Sequence, residues 1–233
     1  MVKLGKDYKE IEEKLHYFFK NKKFLEEALI HRSFYNENRQ LVQSTNERLE
    51  FLGDAVLSLL ISEFLFQYFP QKPEGELSQL RSQLVEAASC SKWLQRLRIE
   101  NDVFLGKGER GNQGKGRDSI LADLFEAVLG AIYLDGGFTA AFTFFWHHFS
   151  QEVTETVQTP LRNWKAELQD YTQKKCQQLP RYTTDREEGP DHHKTFYISV
   201  WLGEEKIAEG EGKSKKEAEQ VAAKKALEGI IHG

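Results

Sequence analysis

Asn46-Glu47-Arg48-Leu49-Glu50-Phe51-Leu52-Gly53-Asp54-Ala55-Val56-Leu57 is the stretch on which the reading of this 233-residue chain turns. At about 100° per residue its acids Glu47, Glu50 and Asp54 fall within roughly 60° of one another on one helical face. Leu49, Phe51, Leu52, Ala55 and Val56 stand around them, so the acids are not scattered over a generic solvated surface. Like charges this close repel, and something cationic must compensate. Arg48 and Arg81 are the chain's own candidates. A second pair, Asp123 and Glu126, sits at i, i+3 within the apolar run Ile120 to Gly130, with no Lys or Arg nearby. Uncompensated acids on a buried helix are expensive. Hard divalent cations such as Mg2+ take oxygen ligands and keep several waters, so carboxylates converging from two helices suit them. Such a site can bind phosphate oxygens and activate a water for in-line attack. The bland alternative is that each acid faces solvent or pairs with an arginine from elsewhere. No HExxH, GxSxG or P-loop points to another hydrolytic chemistry.

Working outward, the apolar spacing is helical from about residue 7 to 155, and runs such as Leu121 to Leu134 are too long for ordinary strands. Pro70 and Pro73 close one helix. Gly106, Gly108, Gly111, Gly114 and Gly116 suggest a flexible basic loop ahead of a helix start at Asp118-Ser119. The chain turns polar and Thr-rich between Gln151 and Pro160, which places an all-helical domain at 1–155, a linker at 156–160 and a second domain at 161–233. In the second domain an amphipathic helix over 161–178, ended by Pro180, precedes strands Tyr182 to Glu188, Thr195 to Leu202 and Lys206 to Glu209, and a closing helix Ser214 to Ile231. The fold class expected is α+β, with an all-α domain followed by an α-β-β-β-α domain.

A hydrophobic share of 39% fills a real core and excludes disorder or a fibre. The net charge of −4, from 32 Lys+Arg against 36 Asp+Glu, argues against nucleic-acid binding by general basicity, while leaving room for a local basic face. All the net acidity sits in the helical domain, since the segment after residue 160 carries 13 positive and 13 negative side chains. Cys90 and Cys176 are too far apart for a CxxC clip and too few for a disulfide scaffold, so reduced thiols in a cytoplasmic protein are expected. No apolar run reaches the ~18 residues of a membrane span, and no signal peptide is evident.

The string Asn46 to Asp54 resembles the signature of the ribonuclease III family. Ala28-Leu29-Ile30-His31-Arg32-Ser33 upstream, and Glu74-Gly75-Glu76-Leu77-Ser78 and Ser119 to Glu126 downstream, follow in the family's order. The resemblance covers nearly the whole chain and is to the bacterial type, with one nuclease domain and one double-stranded RNA-binding domain. It implies that Glu50, Asp54, Asp123 and Glu126 hold catalytic Mg2+, for which Mn2+ can substitute, and that Glu47 and Glu74 form an outer acidic set linked to RNA handling. By chemistry Glu50 and Asp123 are metal ligands, while Asp54 and Glu126, the catalytic pair, help organise the metal and its attacking water. The resemblance further implies a homodimer with Phe51 as an aromatic knob fitting the partner. The aromatic stretch Phe142 to Phe149, with Trp146, His147 and His148, is assigned no chemistry.

Lysines at the start of the last helix, with Ser214 as N-cap, gather where a helix terminus already favours phosphate. Taken alone that patch is a solvated Lys/Glu face, but the element order resembles a double-stranded RNA-binding domain, which spans about 16 bp. By that resemblance Gln169, Asp170 and Gln173 meet one minor groove, His192 the next, and Lys215 and Lys216 clamp phosphates. Glu219, where a lysine is common, and Ala166, where a threonine is frequent, depart from the pattern and imply a weaker clamp. Lys107, Arg110, Lys115 and Arg117 can add contacts, and binding is expected to weaken steeply with salt. The function implied is an Mg2+-dependent endoribonuclease that cuts duplex RNA to 5′-phosphate products with short 3′ overhangs, processing ribosomal RNA precursors and other structured transcripts. No small-molecule cofactor or membrane partner is expected. The rivals are a protein that binds duplex RNA without cutting it and a phosphohydrolase of small nucleotides.

Overall fold

The computed structural model describes residues 8–111, 116–158, 163–189 and 194–232. These fall into two compact units, 1–159 and 160–233. The first is helical: α1 (Tyr8–Leu15), α2 (Lys22–Ala28), α3 (Arg32–Glu37), α4 (Glu47–Tyr68), α5 (Glu74–Leu84), α6 (Ala87–Leu97), α7 (Lys107–Gly111) and α8 (Arg117–Gln158). One isolated parallel bridge joins Ile30 to Phe104. As the prolines require, α4 stops before Pro70 and Pro73 is the N-cap residue of α5. α8 is two helical segments joined at Gly137, whose φ of +75° is open to glycine and strained for other residues.

The glycine-rich stretch expected as a flexible loop instead contains α7. Its entry is held by polar contacts invisible to local spacing. The Gly106 N–H donates to Ser33 Oγ at 2.9 Å, and the Lys107 N–H donates to Glu37 Oε1 and Oε2 at 2.9 and 3.1 Å. A Cβ on Gly106 would stand 2.8 Å from the Ser33 carbonyl oxygen. The expected Lys115 contact lies outside the described residues.

α8 is long and apolar enough to cross a membrane by length and composition, yet here its apolar residues fill a core. Leu124, Phe125, Val128, Leu129 and Ile132 are fully buried. From α6, Trp93 packs against Phe125, Phe145 and Phe149 of α8 with ring centroids 5.4, 5.2 and 5.4 Å apart, edge-on to Phe145 and tilted to the other two. Aromatic burial of this kind dominates core energetics.

The second unit runs α9 (Trp164–Cys176), β1 (Arg181–Glu188), β2 (Thr195–Leu202), β3 (Glu205–Gly212) and α10 (Lys215–His232), the strands forming an antiparallel sheet in the order β1-β2-β3. α9 is shorter than the expected 161–178. Asn163 Oδ1 accepts from the Ala166 N–H at 3.2 Å and caps its start, and Gln177, with φ of +54°, ends it. β3 extends three residues past the expected Glu209, pairing Gly210 with Ile198 and Gly212 with Phe196 of β2, and both glycines are where α10 comes closest. A Cβ on Gly210 would lie 2.3 Å from both the Ala218 oxygen and the Ala222 nitrogen. Leu168, Val200, Ala222, Ala223, Ala226 and Leu227 form the core between helices and sheet.

Candidate active site and nucleic-acid interface

The site in the helical unit is built on a crossing of two backbones. A Cβ on Gly53 of α4 would stand 1.8 Å from the carbonyl oxygen of Glu126, and a Cβ on Gly130 of α8 would stand 2.3 Å from that of Leu49. Only glycine at both places lets the helices meet so closely. Glu50 and Asp54 flank Gly53 on one helix, and Asp123 and Glu126 precede Gly130 on the other, so the crossing brings the two acidic pairs together. Asp54 is exposed, while Glu50, Asp123 and Glu126 are half-buried at the border of the core. Of the apolar residues around them, Leu49 and Val56 face the core, and Phe51 and Ala55 face outward.

The electrostatics show that the acids share one environment. Burial pushes the Glu50 carboxyl up, and Asp123, Glu47 and Asp54 push the same way against the opposing charge of Arg32. Burial also raises Asp123, with Glu47 adding to it and Arg32 opposing it. Glu126 is raised to about 7 by burial and then by Asp54, Glu50 and Asp123. The opposing cation is Arg32, at the start of α3, rather than either arginine expected for that role. Arg81 donates to Ser62 Oγ at 3.1 Å, and Arg48 has no ion pair among the described residues. Behind Glu126 lies the fully buried Cys90, its Sγ 3.9 Å from Glu126 Oε1. Burial, then the Glu126 charge, raises its thiol far above the ordinary range, so it is an inert neutral donor.

The outer acids are held separately. Glu47 accepts from the Thr45 hydroxyl at 2.8 Å. Glu74, on the first turn of α5, accepts from the Ser78 hydroxyl at 2.7 Å and is not among the charges that shift Glu50, Asp123 or Glu126. Among the described residues no group of three or more His, Cys, Asp or Glu side chains forms a ready metal-binding shell. The donor set nonetheless fits a hard cation. Four carboxylates repel one another across the crossing, and among the described residues the cation acting on Glu50 and Asp123 is Arg32. The rings of His16, His147 and His148 contact one another in tilted and edge-on pairs at 4.7–5.3 Å, with His148 Nε2 3.1 Å from the Leu15 carbonyl, and pack the end of α1 on α8. Phe51 projects into solvent at 81% exposure, and Leu59 and Phe66 on the same helix are also exposed.

In the second unit Gln169, Asp170 and Gln173 lie exposed on α9. Ser214 Oγ accepts from the Glu217 N–H at 3.2 Å, which caps α10. Lys215 at that helix start is not idle. Its Nζ lies 3.0 Å from Glu187 Oε1 of β1, and Lys194 approaches the same carboxylate at 3.5 Å. Glu219, the departure noted in sequence, pairs with Lys165 of α9 at 2.6 Å. Its charge is thus taken up inside the unit. His192 lies outside the described residues. The sequence reading missed three residues: Arg32, Cys90 and Glu187. Arg32 alone carried a signal, its place in the segment Ala28 to Ser33.

Comparison with known proteins completes this geometry. Residues 21–153 match a family described as Ribonuclease-III-like, and residues 164–230 match the Double-stranded RNA binding motif. Ribonuclease 3 of Protochlamydia amoebophila is 57% identical over 217 residues, covering 93% of this chain and 89% of that protein. Ribonuclease 3 of Syntrophobacter fumaroxidans is 45% identical over 219 residues, covering 92% and 90%. Among solved structures, the nuclease domain of ribonuclease III from Campylobacter jejuni, described for flexibility in a region involved in dimer formation, matches with a TM-score of 0.57 at 40% identity, covering 62% of this chain and 97% of that one. The acidic helix crossing therefore sits in a chain whose nuclease region and RNA-binding region both match in order, and the chain belongs to the ribonuclease III family.

Proposed function

We propose that this protein is an Mg2+-dependent endoribonuclease that cuts double-stranded RNA, leaving 5′-phosphates and short 3′ overhangs. The observation that carries the reading is the electrostatic coupling of Glu50, Asp54, Asp123 and Glu126 across the α4–α8 crossing, in a chain that also matches the duplex-RNA-binding motif. Glu50 and Asp123 would hold the metal directly, Asp54 and Glu126 would orient it and the attacking water, and Glu47 and Glu74 would form the outer acidic set. Bound Mg2+, with Mn2+ able to stand in, would supply positive charge to the phosphate oxygens and make a water nucleophilic near neutral pH. Gly53 and Gly130 fix the separation of the two acidic pairs, and Cys90 backs Glu126 with a buried, neutral thiol.

Gln169, Asp170, Gln173 and His192 would meet the minor grooves, and Ser214, Lys215 and Lys216 the phosphates between them. The working unit would be a homodimer with Phe51 seated in the partner, each site cutting one strand. Ribosomal RNA precursors and other structured transcripts are its proposed substrates, in the cytoplasm, where the free thiols of Cys90 and Cys176 stay reduced. The test is incubation with a labelled long RNA duplex and, separately, its single strand, in Mg2+ and in excess EDTA. Metal-dependent conversion of the duplex alone into short overhanging fragments is expected. Retention of an uncut duplex in every metal would instead establish a binding protein.

A further inference from the structure

An open cavity of about 570 Å3 lies on the face of the helical unit between α3 and the start of α4. Its lining includes Arg32, Tyr35, Gln43, Thr45, Glu47 and Arg48. Both arginines are exposed, and neither is taken up by a salt bridge among the described residues. An unpaired guanidinium presents a rigid fork of donors matched to phosphate. Two in one cavity, against the single carboxylate of Glu47, leave it net positive on a unit that is net acidic. The cavity is also joined to the acids of the crossing. Glu47 and Arg48, which line it, lie on the first turn of α4, immediately before Glu50. Glu47 itself is turned toward Thr45, whose hydroxyl it accepts at 2.8 Å. The arginines are left as the groups available to a ligand.

We infer that this cavity is a phosphate subsite: Arg32 and Arg48 grip a phosphodiester of the strand being cut, next along the chain from the one the carboxylates attack. The inference rests on the nuclease reading above. A strand held at two neighbouring phosphates cannot slide along the acidic crossing, so the cavity fixes which linkage meets the water. It also answers an electrostatic need. RNA approaching Glu50, Asp54, Asp123 and Glu126 meets repulsion, and fixed cations one linkage away offset it.

The test uses the full chain and a short duplex bearing a single neutral methylphosphonate, moved linkage by linkage on either side of the cut. Arg32→Gln and Arg48→Gln are each expected to raise KM about tenfold, the worth of one charge-assisted hydrogen bond, with a smaller change in kcat. Binding of uncut duplex without metal should lose about one unit of salt slope per arginine. One methylphosphonate position should cost the wild type about as much, and cost the doubly substituted protein little further, because the phosphate and its arginines act as a pair. Arg32→Lys, which keeps the charge but loses the fork, should recover part of the loss. Thermal melting of each variant checks that the fold is intact. The subsite is overturned if the substituted proteins match the wild type in KM and salt slope. It is equally overturned if every methylphosphonate costs both proteins alike, which would make Arg32 a mere counter-charge to Glu50 and Asp123. Failure of the wild type to cut any duplex would strike the nuclease reading instead. The metal-free binding measurement would then decide the subsite by itself, with unchanged affinity and slope rejecting it.

Discussion

Glu126 holds one position and meets two demands: it is packed against the buried Cys90, and it faces three other acids that raise its carboxyl to about 7. Its charge is therefore costly in the free protein, and the proposed Mg2+ would offset that cost. Glu126→Gln keeps the shape and removes the charge, so cleavage should fall by at least about a hundredfold while duplex binding stays within a factor of two or so. Equal cleavage by variant and wild type would remove Glu126 from the site. Asp135 shows the opposite case. Burial alone would raise its carboxyl, but the Lys20 and Asn21 N–H groups at 2.9 and 2.8 Å and the Tyr17 hydroxyl at 2.8 Å outweigh that and hold it below the ordinary aspartate range. A folded value below the unfolded one gives stability that is complete above the unfolded value and is lost as pH falls through the folded one. Melting temperatures of the wild type and Asp135→Asn, followed from about pH 6 to pH 3, should therefore converge as acid is added. A constant gap would show that the donors act through packing alone.

Among the elements, the junction of β1 with the start of α10 carries the sharpest expectation. Glu187 sits on β1 and holds Lys215 at 3.0 Å, and Lys215 is one of the two proposed clamp lysines. Its carboxyl is held low by Lys215 first and then by Lys194, so the acid is charged and occupies the lysine that the proposed clamp would offer to a phosphate. Glu187→Gln should tighten duplex binding severalfold at low salt and steepen its salt dependence by up to about one unit. Weaker binding in the variant, measured by fluorescence anisotropy across a salt series, would mean that Glu187 orients Lys215 rather than competing for it. This pair also shows where sequence reading ends. The helices, the three strands and the spacing of Glu50, Asp54, Asp123 and Glu126 were legible because they rest on periodicity within one element. Arg32 and Glu187 were not, because each acts on residues of another element, and only tertiary approach brings them into range. The same holds for α7, whose entry is held by Glu37 and Ser33 from another part of the chain, and for the end of β3, where glycines serve the close packing of α10.

For the whole molecule the exposed side of α4 is decisive. A phenylalanine at 81% exposure, followed on the same helix by Leu59 and Phe66, is apolar area left in water. Covering it with a second copy is the proposed arrangement. Phe51→Asp should then shift the sedimentation of the full chain from dimer to monomer and lower cleavage, with the melting of the second unit unchanged. A dimer that survives the substitution would place the contact elsewhere.

The meeting of Gly53 with the Glu126 carbonyl, and of Gly130 with that of Leu49, has a consequence for how this site can change over time. The gap between the acidic pairs is gauged by main chain against main chain, not by the bulk of any side chain wedged between the helices. Leucines, valines and phenylalanines elsewhere in the core can therefore be exchanged, generation after generation, without retuning the distance between the two acidic pairs. The two glycines act as a datum, and sequence drift around them leaves the four acids in register.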